Sequence, residues 1–199
     1  KRQPDGQGTY AKDNVVFGHR RLAIIDLSDA GAQPMHDPDT RLSIVFNGCI
    51  YNYKELLEEL RGLGHSFRGH SDTEVILKAY AQWGEDFVHR LKGMFAFALF
   101  DERTGRVLVG RDRLGIKPFY YAEVDGSFRF ASALPAILAG GGVDTRIDPV
   151  ALHHYMTFHA VVPAPYTMLQ GVRKLPPATL MWIEPDGTRT QKTYLSLIH

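Results

Sequence analysis

Two apolar runs of strand length limit what this chain can fold into. Leu42 to Phe46 reads as a buried strand that ends in Asn47-Gly48, and Met94 to Phe100 is a second apolar run. The latter turns through Asp101-Glu102-Arg103-Thr104-Gly105 into Val107-Leu108-Val109, which predicts a hairpin. Two more hairpins follow: Phe119-Tyr120-Tyr121 through Asp125-Gly126 to Phe128–Ala131, and Leu180–Ile183 through Pro185-Asp186-Gly187 to Tyr194. Earlier, Val15-Val16-Phe17 leads through Gly18-His19 into a β-rich segment ending at Asp26.

Helical signals fall between these strands. Asn52 is placed as an N-cap, with Leu56, Leu57, Leu60 and Leu63 on one face and Gly64 as the stop. Ser71-x-x-Glu74 is a capping box opening a second helix that runs to Gly84. Asp148-Pro149 marks a third start. Paired antiparallel strands with helices inserted between them predict an α+β fold rather than a doubly wound sheet. Gly140-Gly141-Gly142 follows a short helix and lacks the Lys-Ser/Thr of a phosphate loop.

Composition excludes several classes of function. A net charge of +1 over 199 residues, with dispersed basic residues, gives no electrostatic case for nucleic acid or an anionic membrane. No apolar run approaches the ~20 residues of a membrane span. The single Cys rules out an internal disulfide and a Cys-rich metal site, which points to a reducing, cytoplasmic compartment. The first residue is Lys1, and the opening sequence has the character of mid-domain chain, so a fragment is expected.

Five positions combine a reactive group with a suggestive context. An Asn47 carboxamide beside a Gly48 N–H can present two donors at one point, as a developing oxyanion in acyl transfer requires. By default Asn-Gly is a type I′ hairpin turn, yet the residues after it lead into a helix. Arg21, on or beside a strand, suits bidentate capture of a carboxylate, or is a solvated strand-end residue. Asp72 lies in the first turn of a capped helix, where the dipole alone favours an acid. Cys49 next to oxyanion donors would suit a nucleophile, but a lone Cys past a buried strand is more often a small core residue. It would need a His base, for which His19, His65 and His70 are the candidates.

The segments together are more specific than any one of them. Gly18-His19-Arg20-Arg21-Leu22-Ala23-Ile24-Ile25-Asp26, Gly31-Ala32-Gln33-Pro34-Met35, Asn47-Gly48-Cys49-Ile50-Tyr51-Asn52 and Ser71-Asp72-Thr73-Glu74-Val75-Ile76 follow in order. Gly93–Ala98, Gly110-Arg111-Asp112-Arg113-Leu114-Gly115-Ile116-Lys117-Pro118 and Val172–Pro177 complete the series. Across essentially its whole length, 1–199, the chain resembles the glutaminase domain of the asparagine synthase family, the class II (N-terminal-nucleophile) glutamine amidotransferases.

That resemblance implies a four-layer αββα sandwich of two antiparallel sheets, here lacking its N-terminal strand. It implies a nucleophilic cysteine made N-terminal by Met removal, with its own α-amine as base. Carried over, Arg21 is the clamp on the glutamine α-carboxylate, Asn47 and Gly48 are the oxyanion hole, and Asp72 is the partner of the α-ammonium. Glutamine is the implied substrate. A synthetase domain in the same chain is the implied partner, and ATP and Mg²⁺ belong to that half; a homodimer is left open. The Met-Cys-Gly start is absent, so the chain by itself is expected to be inactive.

Cys49 stands where typical members carry Glu, which removes one charge from the substrate pocket. The same Cys occurs in the branch that amidates N-acetylglutaminylglutamine, so the acceptor need not be aspartate. Ala133 replaces a usual Glu, and Gln3 a Gly. These departures keep a second expectation alive, a degenerate glutaminase fold retained as a binding or scaffolding module. Amidotransferases making amino sugars or purine precursors are a third, disfavoured by the Ser71–Ile76 and Arg111–Pro118 wording.

Overall fold

The computed structural model describes residues 6–22 and 25–195. The chain divides into two compact units, Lys1–Val109 and Gly110–His199. In the first, β1 (Gly6–Lys12) and β2 (Val15–Arg21) form an antiparallel ribbon. β3 (Met35–Asp37), β4 (Leu42–Ile50), β5 (Gly93–Asp101) and β6 (Arg106–Arg111) lie side by side in that order. β6 leads into the second unit. Three helices, α1 (Tyr53–Gly62), α2 (Asp72–Trp83) and the short α3 (Phe87–Arg90), lie between β4 and β5 in sequence. The core here is aromatic and aliphatic: Phe17, Ile44, Phe46, Ile76, Phe87 and Phe97 are all buried.

The second unit holds β7 (Tyr120–Val124) between β8 (Ser127–Ala131) and β9 (Arg173–Lys174). It also holds α4 (Leu134–Ala139), α5 (Pro149–Thr157) and the β10 (Thr179–Ile183)–β11 (Arg189–Thr193) hairpin. Ala122, Val124, Ile137 and Val172 form its buried cluster. The Arg111–Pro118 motif is explained here by backbone hydrogen bonds. The Arg111 guanidinium donates to the carbonyls of Lys117 at 2.8 Å, Gly115 at 2.6 Å and Leu175 at 2.5 Å. The Asp112 carboxylate accepts from the N–H groups of Leu114, Ile116 and Lys117. An Arg–Asp pair thus satisfies both sexes of backbone group in a loop that no ladder serves.

All three predicted hairpins are present, and Asp125 (φ 50°) and Gly126 (φ 75°) form the left-handed pair a two-residue loop requires. Asp148 caps α5 by accepting from Val150 and Ala151 N–H. Several expectations are corrected. β4 does not end at Asn47-Gly48; it continues to Ile50, paired residue by residue with β5, so Asn-Gly here is neither a strand end nor a turn. Asn52 occupies the N-cap position of α1 without capping it, because its carboxamide instead bonds the Arg90 carbonyl and the Lys92 N–H. Leu63, expected on the buried face, is 51% exposed, since the helix has ended one residue earlier. Ser71 does cap α2, but Glu74 does not reach back to Ser71. Its carboxylate takes the N–H groups of Arg68 and Gly69, tying down the loop before the helix. β2 ends at Arg21, so Ile25 and Asp26 are not strand; Ala23, Ile24 and the Arg2–Asp5 motif lie outside the described residues.

One buried ion pair joins α2 to β3. Lys78 Nζ donates to Asp37 Oδ2 at 2.7 Å, with both side chains less than a tenth exposed. Burial works against the Asp37 charge, but the Lys78 ammonium and the Thr40 hydroxyl outweigh it and hold the carboxyl below its ordinary value. A depressed carboxyl stabilises above the unfolded-state value and loses that contribution as pH falls through the folded one. Lys78→Met, which strands Asp37, should therefore cost about 3–5 kcal/mol at neutral pH in denaturant unfolding. The gap from the parent protein should narrow on acidification below the ordinary carboxylate range.

Candidate active site

The candidate site is built on one edge of β4. In an antiparallel strand, successive N–H groups point to opposite sides. Tyr51 N–H goes to the Lys92 carbonyl at 2.7 Å, on the β5 side. Phe46 and Ile50, of the other parity, point away from β5, toward the side that β3 occupies. β3, however, covers only Leu42 to Ile44. Beyond it, two side chains take over. Gln33 Oε1 accepts the Phe46 N–H at 2.7 Å, and Asp72 Oδ2 accepts the Ile50 N–H at 3.0 Å. Gly48 stands midway between these clips, and alternation turns its N–H to the same edge.

Glycine at this place has a steric cause. An added Cβ would overlap the Met94 carbonyl oxygen and stand 2.8 Å from the Phe46 ring. Asn47 and Cys49, two residues apart, share the opposite face from Gly48, and all three residues are half-buried in an otherwise buried strand. A side-chain amide and a main-chain N–H are thereby held on adjacent residues of a strand paired with β5 along its whole length.

Asp72 is buried at the first turn of α2. Burial pushes its carboxyl above the ordinary value, while the N–H groups of Ile50 and Thr73 pull it back. Arg21 sits at the end of β2, and its guanidinium donates to the carbonyls of Ser28, at 2.9 Å, and Asp26. It lies against Gly31, where a Cβ would come 3.2 Å from Cζ. Asp26 Oδ2 in turn accepts the His70 N–H at 3.1 Å, two residues before Asp72. The turn at 26–28 therefore joins Arg21 to the segment that delivers Asp72. The resemblance implied a guanidinium given over to a substrate; the structure shows it bracing this turn.

Of the three histidines named as candidate bases, His65 Nε2 bonds Gln82 Oε1 at 2.8 Å, and His70 enters through its backbone. His19 is the one near the edge. Burial pushes its imidazole below the ordinary value, with the Phe46 backbone acting the other way and Arg21 adding to the depression. Its Nδ1 is buried without a hydrogen-bond partner. A cavity of about 490 Å³ is lined by Gln7, Gly8, Thr9, Gly18, His19 and Arg20. Gly8 lies against the Gln33 carbonyl, where a Cβ would come within 2.6 Å, so this cavity adjoins the Gln33–Phe46 end of the edge. Among the described residues, no three His, Cys, Asp or Glu side chains are grouped to hold a metal ion. Sequence reasoning missed Gln33 and Thr73, whose Oγ1 accepts from Gln33 Nε2 at 3.3 Å. Neither carries a spacing signal.

Residues 1–195 match a family model described as a glutamine amidotransferase domain. The chain belongs to that family. It is 42% identical over 193 residues to asparagine synthetase [glutamine-hydrolyzing] 1 of Bacillus subtilis, covering 97% of this chain and 30% of that one. It is 39% identical over 190 residues to asparagine synthetase [glutamine-hydrolyzing] 3 of the same organism (94% and 31%). A putative asparagine synthetase [glutamine-hydrolyzing] 2 of Methanocaldococcus jannaschii is 36% identical over 215 residues (97% and 41%). The amidotransferase domain thus spans only about a third of the length of these relatives. Among solved structures, the B. subtilis glutamine phosphoribosylpyrophosphate amidotransferase complexed with ADP and GMP superposes with a TM-score of 0.63 at 20% identity. That match covers 92% of this chain and 35% of the other, and it shows the antiparallel α+β fold expected from the sequence.

The requirement for glycine in β4 is directly measurable. Gly48→Ala should cost roughly 1–3 kcal/mol through overpacking against Met94 and Phe46. Gly62→Ala, at the end of α1 with nothing within 4 Å of the new methyl, should instead gain about 0.5–1 kcal/mol. Thermal unfolding of the two variants side by side checks both.

Proposed function

We propose that this domain is the glutamine-hydrolysing half of an asparagine synthase-like amidotransferase, releasing ammonia to a synthetase domain of the same protein. The observation that carries the reading is the Gly48 N–H beside Asn47, held on the β4 edge between the Gln33 and Asp72 clips. The Asn47 carboxamide and Gly48 N–H take the oxyanion that forms when a thiolate adds to the glutamine side-chain amide. Ammonia leaves, and water hydrolyses the thioester to glutamate. The thiolate assigned by the resemblance is an N-terminal cysteine; Cys49, the one cysteine among these 199 residues, lies in mid-strand.

Asp72 meets the substrate α-ammonium. Burial raises its carboxyl above the ordinary value, and a cation alongside favours the carboxylate. Arg21 meets the α-carboxylate: a guanidinium has five N–H donors, and the Ser28 and Asp26 carbonyls position the group without neutralising it. Cys49 replaces a second acid at the α-ammonium, so the electrostatic selection falls on Asp72. ATP and Mg²⁺ serve the synthetase domain, where the acceptor is activated.

Calorimetric titration with glutamine tests the pocket. Asp72→Asn keeps an acceptor for the Ile50 N–H while deleting the charge. It should leave the unfolding temperature within a few degrees of the parent and weaken glutamine about 10- to 150-fold, the worth of a charged hydrogen bond of ~1.5–3 kcal/mol. Arg21→Ala should weaken it comparably. Absence of heat at millimolar glutamine in the parent protein would instead favour the non-catalytic module, the reading suggested by Cys49.

A further inference from the structure

We infer that Gln33 is a positioning residue for amide hydrolysis, its carboxamide fixing the strand of Asn47 and Gly48 against the helix turn of Asp72. The inference rests on the glutamine-hydrolysing reading above and adds a residue to which nothing yet assigns a part. The β3–β4 register pairs Met35 with Ile44; continued by two residues, it would set Gln33 opposite Phe46. The ladder stops short of that point, at Met35. The Gln33 side chain supplies the missing rung: Oε1 accepts the Phe46 N–H at 2.7 Å. Its other end, Nε2, donates to Thr73 Oγ1 at 3.3 Å, in the first turn of α2.

Both polar ends of one rigid, planar group are therefore committed, one to the residue before Asn47 and one to the residue after Asp72. A second tie, Asp72 to Ile50, closes the far side. Together they bracket Asn47, Gly48 and Cys49. The amide offers an acceptor to Phe46 and a donor to Thr73 at once. Gln33 touches no reacting atom in this arrangement. It acts through Asn47, Gly48 and Asp72, by keeping the oxyanion donors at a set distance from the α-ammonium partner. A loosening of about 1 Å between such groups is enough to cost on the order of 100-fold in rate.

The test uses the full-length protein and glutamate release from glutamine. Gln33→Glu keeps the acceptor and loses the donor; Gln33→Leu loses both; Thr73→Val removes the far anchor. The expected result is a fall in kcat of about 10- to 100-fold for Gln33→Leu, with KM changing far less, and a smaller fall for Gln33→Glu and Thr73→Val. The double variant Gln33→Glu/Thr73→Val should be no worse than the poorer single one, since both cut the same tie. If Gln33→Leu does not fold, the other two variants and their double decide the matter. Unchanged kcat in folded variants of an active parent would overturn the positioning role alone. A parent that releases no glutamate would overturn the underlying reading, and this inference with it.

Discussion

A strand that outruns its neighbour leaves backbone N–H groups without a ladder, and the first unit of this protein is organised around one such strand. β4 is paired along its whole length by β5 but only over its first three residues by β3. Buried backbone donors must be satisfied, and here side chains do it: a carboxamide at Phe46 and a carboxylate at Ile50. Those two side chains arrive from the chain before β3 and from the start of α2. The open edge thus becomes the place where three separate segments meet. A third β3-side donor, that of Gly48, falls between them, and this placement makes the edge a candidate reaction centre instead of a packing defect.

Much of the fold was legible because its signals are local. Ser71 as a cap, Asp148-Pro149 as a helix start and the hairpin through Asp125-Gly126 each depend on a few neighbouring residues, and each forms as expected. The end of β4 was not legible. Asn-Gly-Cys breaks the apolar pattern and mimics a turn, while the ladder that continues the strand is supplied by Gly93–Ala96 far along the chain. Asn52 failed as a cap for a similar reason. Its side chain has better partners at Arg90 and Lys92, about forty residues on.

The candidate site divides along the same line. Arg21, Asn47, Gly48, Cys49 and Asp72 were nominated from residue type and from resemblance, and the structure ties Arg21 to the His70–Asp72 segment and Asp72 to β4. In the sequence, Gln33 is only one letter of a motif. Its partners lie 13 and 40 residues away, and no periodicity marks a side chain whose work is to replace one rung of a sheet. Residues of this kind are visible only once the register is known.

Under the proposed reading, Cys49 in place of an acid leaves Asp72 as the carboxylate that meets the α-ammonium. A pocket with two carboxylates facing an α-ammonium carries net charge that must be held apart when the site is empty. Burial raises the Asp72 carboxyl above its ordinary value, and the Ile50 and Thr73 N–H groups pull it back. An incoming amino acid then brings its own counter-charge and favours ionisation of the acid it meets. A neutral amide brings none. On that reading, a cation at this site and the charge of Asp72 favour each other, and the Ile50 N–H holds the carboxylate in place.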